Sequence, residues 1–101
     1  MIGISCGRLT ELPALREFAE AHGLGLELQE FALPEVLDGE WRDLLRRYRQ
    51  ALSGFAGPIS LHGPFVDLFS GSVDPRIAAV TMERYRHSLA IAAELGAWLV
   101  N

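Results

Sequence analysis

The residue best placed to do chemistry is His62. It follows the strand-like run Ile59, Ser60 and Leu61 and precedes Gly63, Pro64 and Phe65, so the imidazole stands where the backbone turns sharply into a long loop. At the carboxyl end of a strand it can bind a divalent metal or hydrogen-bond a substrate hydroxyl; it can equally cap the strand through loop hydrogen bonds. Glu27 is the second candidate. Leu24, Leu26 and Leu28 alternate with Gly25, Glu27 and Gln29, and a period of two sends alternate side chains to opposite faces of a strand. Glu27, Gln29, Ser60 and His62 are therefore expected on one face. A carboxylate there needs a partner, which a metal, a ligand hydroxyl or a neighbouring arginine would supply, with the structural ion pair the commoner answer.

The remaining reactive side chains have simpler readings. Asp74 precedes Pro75 and is expected to cap a helix, because proline suits the first helical position and aspartate the cap before it. Asp67 is expected to be a solvated loop residue, and Glu30, of opposite parity to Glu27, to belong to a rim or loop. Cys6 shares the parity of Ile2 and Ile4 and reads as a small buried hydrophobe. His22 and His87 read as surface or dipole-complementing residues. Arg42, Arg46 and Arg49 interleave with Asp43 off an apolar helical stripe and read as a solvated face. No glycine-rich nucleotide fingerprint, phosphate loop or paired-cysteine zinc motif occurs.

The elements that must carry these residues repeat. Residues 1–6 read as a strand, followed by Leu12, Leu15, Phe18 and Ala19 at helical spacing up to Gly23. The strand around Glu27 is followed by a helix with the stripe Trp41, Leu44, Leu45, Tyr48 and Leu52. The strand ending at His62 is followed by a helix with the expected stripe Ile77, Val80, Leu89, Ala92 and Leu95, closed by Gly96. Residues 97–100 open a fourth strand, with Trp98 expected in the core beside Val100. Alternating strands and helices imply parallel neighbours joined by right-handed crossovers.

The two strand faces differ in chemistry. One carries Ile2, Ile4, Cys6, Leu24, Leu26, Leu28, Ile59, Leu61, Trp98 and Val100; the other carries Gly3, Ser5, Gly25, Glu27, Gln29, Ser60 and His62. An open doubly wound sheet covers both faces with helices and would want both apolar. A polar second face suits a barrel lumen with a site at the carboxyl ends of its strands. The expected fold is thus α/β, a partial (β/α)8 TIM barrel with about three and a half of eight units. Residues 1–101 read as a single domain, the truncated amino-terminal half of such a barrel.

Composition bounds the function. The chain of 101 residues carries a net charge of -4, with half its residues hydrophobic, which suits one globular core. Its nine arginines and no lysine leave only one dense basic run, Arg42 to Arg49, so nucleic acid is not a favoured partner. A single cysteine cannot form an internal disulfide, and no apolar stretch approaches a membrane span. A cytoplasmic location is expected, with no membrane partner.

IGISCG, GLGLELQEF, ISLHGPFVDL, SVDP and ELGAWLVN, in that order, resemble the amino-terminal half of the sugar phosphate isomerase/epimerase family, whose xylose-isomerase-like TIM barrel is shared with endonuclease IV. The resemblance covers nearly the whole chain. It implies a divalent metal ion (Mn, Mg, Zn or Co) at the carboxyl rim and proton transfer next to the carbonyl of a sugar or sugar phosphate. It implies substrate binding by Glu27 and His62, with His62 also a metal ligand in the endonuclease branch. The family's main metal-binding and acid/base residues lie in its second half, so the resemblance names no catalytic residue here and implies an isomerase or epimerase only for a full-length parent. Two alternatives stand beside it: an endonuclease IV-like metal-dependent phosphodiesterase, and a non-enzymatic half-barrel that self-associates. Either a homo-oligomer or the missing carboxyl-terminal half would close the barrel.

Overall fold

The computed structural model describes residues 2–101. Met1, which begins the first expected strand, lies outside the described residues. Four strands, β1 (Gly3–Cys6), β2 (Gly25–Leu28), β3 (Ile59–Leu61) and β4 (Leu99–Val100), form one sheet in the order β1-β2-β3-β4. All neighbours are parallel. The register aligns Ser5, Glu27, Ser60 and Leu99 across the sheet, and Cys6, Leu28, Leu61 and Val100 one step further on. The chain is thus an α/β protein with consecutive parallel pairing.

The helices are α1 (Leu12–His22), a single turn α2 (Pro34–Leu37), α3 (Trp41–Ala51) and the long α4 (Pro75–Leu95). Residue chemistry sets their ends. Gly23 and Gly96 close α1 and α4 in the left-handed region, at φ 66° and 70°, where a side chain would be strained. Asp74 caps α4 as expected, its Oδ1 accepting the Arg76 N–H at 2.9 Å, with Pro75 at the first helical position. The short helix α2 was not expected; Pro34 at its first position was its signal.

One core forms between the aliphatic sheet face and the helices. Cys6, Leu26, Leu28, Ile59 and Leu61 pack with Leu12 and Ala19 of α1, Leu45 and Tyr48 of α3, and Ile91, Ala92 and Leu95 of α4. The other face stays open: Gly3 and Ser5 are exposed, and Glu27 and Ser60 only half-buried. The shortest dimension of the molecule, 19 Å, fits two layers.

Two core expectations need correction. Ile77, Val80 and Leu89 of α4 are exposed, and its sheet-facing stripe is Thr81, Ser88, Ile91, Ala92 and Leu95. Burial of Thr81 is tolerated because its hydroxyl donates to the Ile77 carbonyl at 2.8 Å and accepts the Phe69 N–H at 3.0 Å, tying the long loop to the helix. Trp98 is 60% exposed rather than core, because it precedes the last strand at the sheet edge, where only β3 lies beside it. His87 is also not a free surface group. It is half-buried and stacks edge-on against Trp41 at 4.5 Å, and burial, then Arg84 and Arg42, lower its pKa.

Candidate functional site

The polar face acquires a defined centre at the carboxyl end of β2. Glu27 accepts hydrogen bonds from both sides, from Gln29 Nε2 at 3.4 Å and from Asn101 Nδ2 at 3.3 Å. These are long, weak bonds. They nevertheless hold the carboxylate between two amides, so it has neither the arginine partner expected on structural grounds nor a second acid beside it. Ser60 and Gly25 lie with Glu27 and Asn101 around a cleft of about 130 Å³. Gly25 is required there: a Cβ at this position would come 2.8 Å from the Pro58 carbonyl oxygen.

His62 continues the ladder past β3. Its N–H donates to the Leu28 carbonyl at 2.9 Å, while Asn101 brackets it, donating to Leu61 O at 2.8 Å and accepting from Gly63 N at 2.7 Å. Gly63 is small for a reason: a Cβ would stand 2.9 Å from the Asn101 carbonyl oxygen. The imidazole Nδ1 lies 2.8 Å from the Gly63 carbonyl. A carbonyl only accepts, so Nδ1 carries the proton and Nε2 of the neutral ring keeps its lone pair. The ring leans on Phe65 at 5.1 Å.

The two expected binding residues are placed near one another in register but not gathered into one cavity. His62 lines a larger hollow of about 570 Å³ with Phe65, Tyr85 and Val100, and Asn101 touches both this hollow and the Glu27 cleft. Asp67 is exposed in the loop at φ 57°, and Asp74 is occupied as a cap. Cys6 is fully buried, and its thiol donates to the Arg8 carbonyl at 3.2 Å; burial, then Glu11, raise its pKa. Among the described residues no three of His, Cys, Asp and Glu converge as a metal cluster.

One contributor, Asn101, was not singled out from the sequence, and the anchoring contacts of another, Glu30, were not foreseen. Asn101 could have been found by continuing the strand parity past Val100. Glu30, expected at the rim, anchors it: Oε1 accepts the Leu9 N–H at 2.9 Å and the Tyr48 hydroxyl at 2.7 Å. Nothing in local spacing links residues 9, 30 and 48; only the folded chain does.

No family model matches the chain, and no curated protein matches it. Among solved structures it is similar to the TTHB071 protein from Thermus thermophilus, soaked with ZnCl2, with 29% sequence identity and a TM-score of 0.69. The alignment takes in 98% of the present chain and 36% of the Thermus chain, so this chain spans about a third of that protein's length. No helix among the described residues is long and apolar enough to cross a membrane.

Proposed function

We propose that this chain is the amino-terminal portion of a xylose-isomerase-like (β/α)8 barrel, and that the complete barrel is a divalent-metal-dependent isomerase or epimerase of a sugar or sugar phosphate. The observation that carries the reading is the polar face itself. A carboxylate held by two side-chain amides, Glu27 between Gln29 and Asn101, stands at the carboxyl end of a parallel sheet on the side away from the core. That is where a barrel of this kind builds its site. The likeness to a Thermus chain of which this one spans about a third supports the reading of a portion of a longer protein.

Side chains of this type suit a polyhydroxylated ligand. Glu27 accepts hydrogen bonds from hydroxyls, while the amides of Gln29 and Asn101 can both donate and accept. The Nδ1 proton of His62 is committed to the Gly63 carbonyl, which leaves Nε2 to accept from a hydroxyl or to ligate a metal, the arrangement typical of oriented metal-binding histidines. Glu27 therefore fits a hydroxyl-binding role in its own cleft, and His62 a hydroxyl or metal contact in the neighbouring hollow, with any further ligands outside this chain. A divalent ion, when bound, would polarise the sugar's carbonyl and hydroxyl oxygens. The residues of this chain position the sugar rather than move its proton.

The test uses the purified polypeptide containing this sequence, stripped with chelator and reloaded with Mn²⁺, Mg²⁺, Co²⁺ or Zn²⁺. It is incubated in D2O with a panel of aldoses, ketoses and their phosphates, and NMR follows exchange of the proton next to the carbonyl. Metal-dependent exchange is expected, reduced roughly tenfold or more in Glu27→Gln and His62→Ala. Folded wild-type protein that exchanges no substrate with any of the ions would overturn the reading.

A further inference from the structure

The stripe of α4 that meets α3 runs on past it. Arg84 donates to Asp38 at 2.6 and 2.8 Å, His87 stacks on Trp41 at 4.5 Å, Ile91 is buried in the core and Glu94 accepts from Arg49 at 3.3 Å. Those positions are three, four and three residues apart, and the same spacing carried towards the amino terminus reaches Val80 and Ile77. Both are apolar and stand free, 48% and 44% exposed, because α4 begins at Pro75, about two turns before its first contact with this segment at Arg84. The helix of a further strand-helix unit belongs on the other flank of α4, that of Ala78, Met82 and Leu89. Continuing the barrel would therefore leave this overhang bare.

The loop between β3 and α4 brings more apolar surface to the same place. Leu68 joins Asp67, Arg76, Ile77 and Val80 around a hollow of about 240 Å³, and Phe69 is held beside the helix by its N–H, which donates to Thr81 Oγ1 at 3.0 Å. The Phe69 ring is nevertheless 63% exposed, and Val66 and Val73 of the same loop are exposed with it. Scattered surface hydrophobes need no explanation, but a patch gathered from a loop and a helix start marks an interaction site. A standard interface removes roughly 800 Å² from each partner, a little over half of it apolar. The five exposed side chains supply several hundred Å² of that kind.

The hollow also holds one charge of each sign. Asp67 and Arg76 both line it, and neither side chain has an ion-pair partner among the described residues. We propose that this overhang is a two-fold interface between two copies of the polypeptide that contains this sequence: the first turns of α4 and the loop of residues 66–73 pack on their equivalents, and Arg76 pairs with the partner's Asp67, twice. A two-fold interface must be complementary to itself, and an apolar patch with one acid and one base meets that demand. A peptide of a single charge sign would leave Asp67 or Arg76 facing its like. An anionic lipid surface fits no better, since residues 66–76 set Asp67 and Asp74 against Arg76 in a chain of net charge -4, without a basic cluster. The interface uses neither the open sheet edges nor the polar face, so it stands or falls separately from the barrel and the sugar chemistry above.

Sedimentation equilibrium of the purified polypeptide containing this sequence is the test. The wild type is expected to dimerise. Asp67→Arg and Arg76→Asp each set like charges opposite one another and should each weaken the dimer roughly tenfold or more, with the far-UV circular dichroism unchanged. An equal mixture of these two variants should recover a heterodimer, because each offers the sign that the other lacks, and the double variant should dimerise like the wild type. Val80→Arg, in the apolar part of the patch, should weaken the dimer without rescue by either. A wild type that stays monomeric at the highest concentration reached overturns the proposal. So does a dimer that Asp67→Arg, Arg76→Asp and Val80→Arg all leave intact, which would place association on another surface, or a mixture of the two charge variants that fails to pair. A monomer that binds phosphatidylcholine vesicles, and is released by Phe69→Ser, would assign the patch to lipid instead.

Discussion

Glu30 holds three segments together through a single carboxylate oxygen: the turn after β1 by the Leu9 N–H, its own turn after β2, and α3 by the Tyr48 hydroxyl. Burial, then Glu30, push the Tyr48 phenol to a higher pKa, so it stays a donor. Tyr48→Phe keeps the ring in the core but takes away one of the two donors to Glu30. It is expected to cost about 1–3 kcal/mol in urea denaturation; a change of only a few tenths would mean that the bond is dispensable. Gly63→Ala makes a sharper demand, since its Cβ would press on the Asn101 carbonyl at 2.9 Å. A loss of roughly 1–3 kcal/mol is expected, with the damage confined to the β3–β4 ladder in amide exchange.

At the scale of the elements, α4 is the helix whose ends and flanks are most informative. Asp74→Ala removes the cap on Arg76 and should cost about 1 kcal/mol, read as a lower midpoint in thermal denaturation. The α3–α4 contact adds a pH dependence. The folded-state pKa of His87 lies below its ordinary 6.5, first through burial and then through Arg84 and Arg42, opposed by Asp38 and Glu83. A proton therefore binds the unfolded chain more readily. The contribution of His87 to stability is complete above pH 6.5 and is lost as pH falls through that value towards the folded pKa. Between about pH 7.5 and 5.5 the melting temperature should drop, and His87→Phe, which keeps the ring against Trp41, should flatten this part of the profile. Asp38, lowered chiefly by its hydrogen bond with Arg84, titrates below 3.8 and lies outside that window.

The molecule as a whole is drawn out. Its radius of gyration is 14.2 Å, against about 13 Å for an ordinary globule of 100 residues. The extra breadth comes from a sheet covered on one face only. Strands β2 and β3 have neighbours on both sides, whereas β1 and β4 each have one. Hydrogen exchange should therefore find the amides of Leu26, Gln29 and His62 slower than those of Leu99 and Val100; equal rates across the sheet would contradict this ordering.

The sequence alone determined the α/β class, the consecutive strands and the separation of an aliphatic from a polar face, because a period of two and a period of 3.6 are local properties of the chain. It likewise placed the Asp74 cap and the Gly23 and Gly96 stops, which depend on one or two residues each. It misplaced the buried stripe of α4 and the side chain of Trp98. Helical spacing shows that Ile77, Val80 and Leu89 recur, but not which flank a neighbouring helix or strand will cover, and Thr81 could be buried only because a loop amide 12 residues away donates to its hydroxyl. The candidate site divides in the same way. Glu27 and Gln29 share a face by parity, whereas the Asn101 contact with Glu27 spans 74 positions and that of Tyr48 with Glu30 spans 18. Contacts across such separations exist only after the sheet has brought its strands together, so tertiary structure alone decided them.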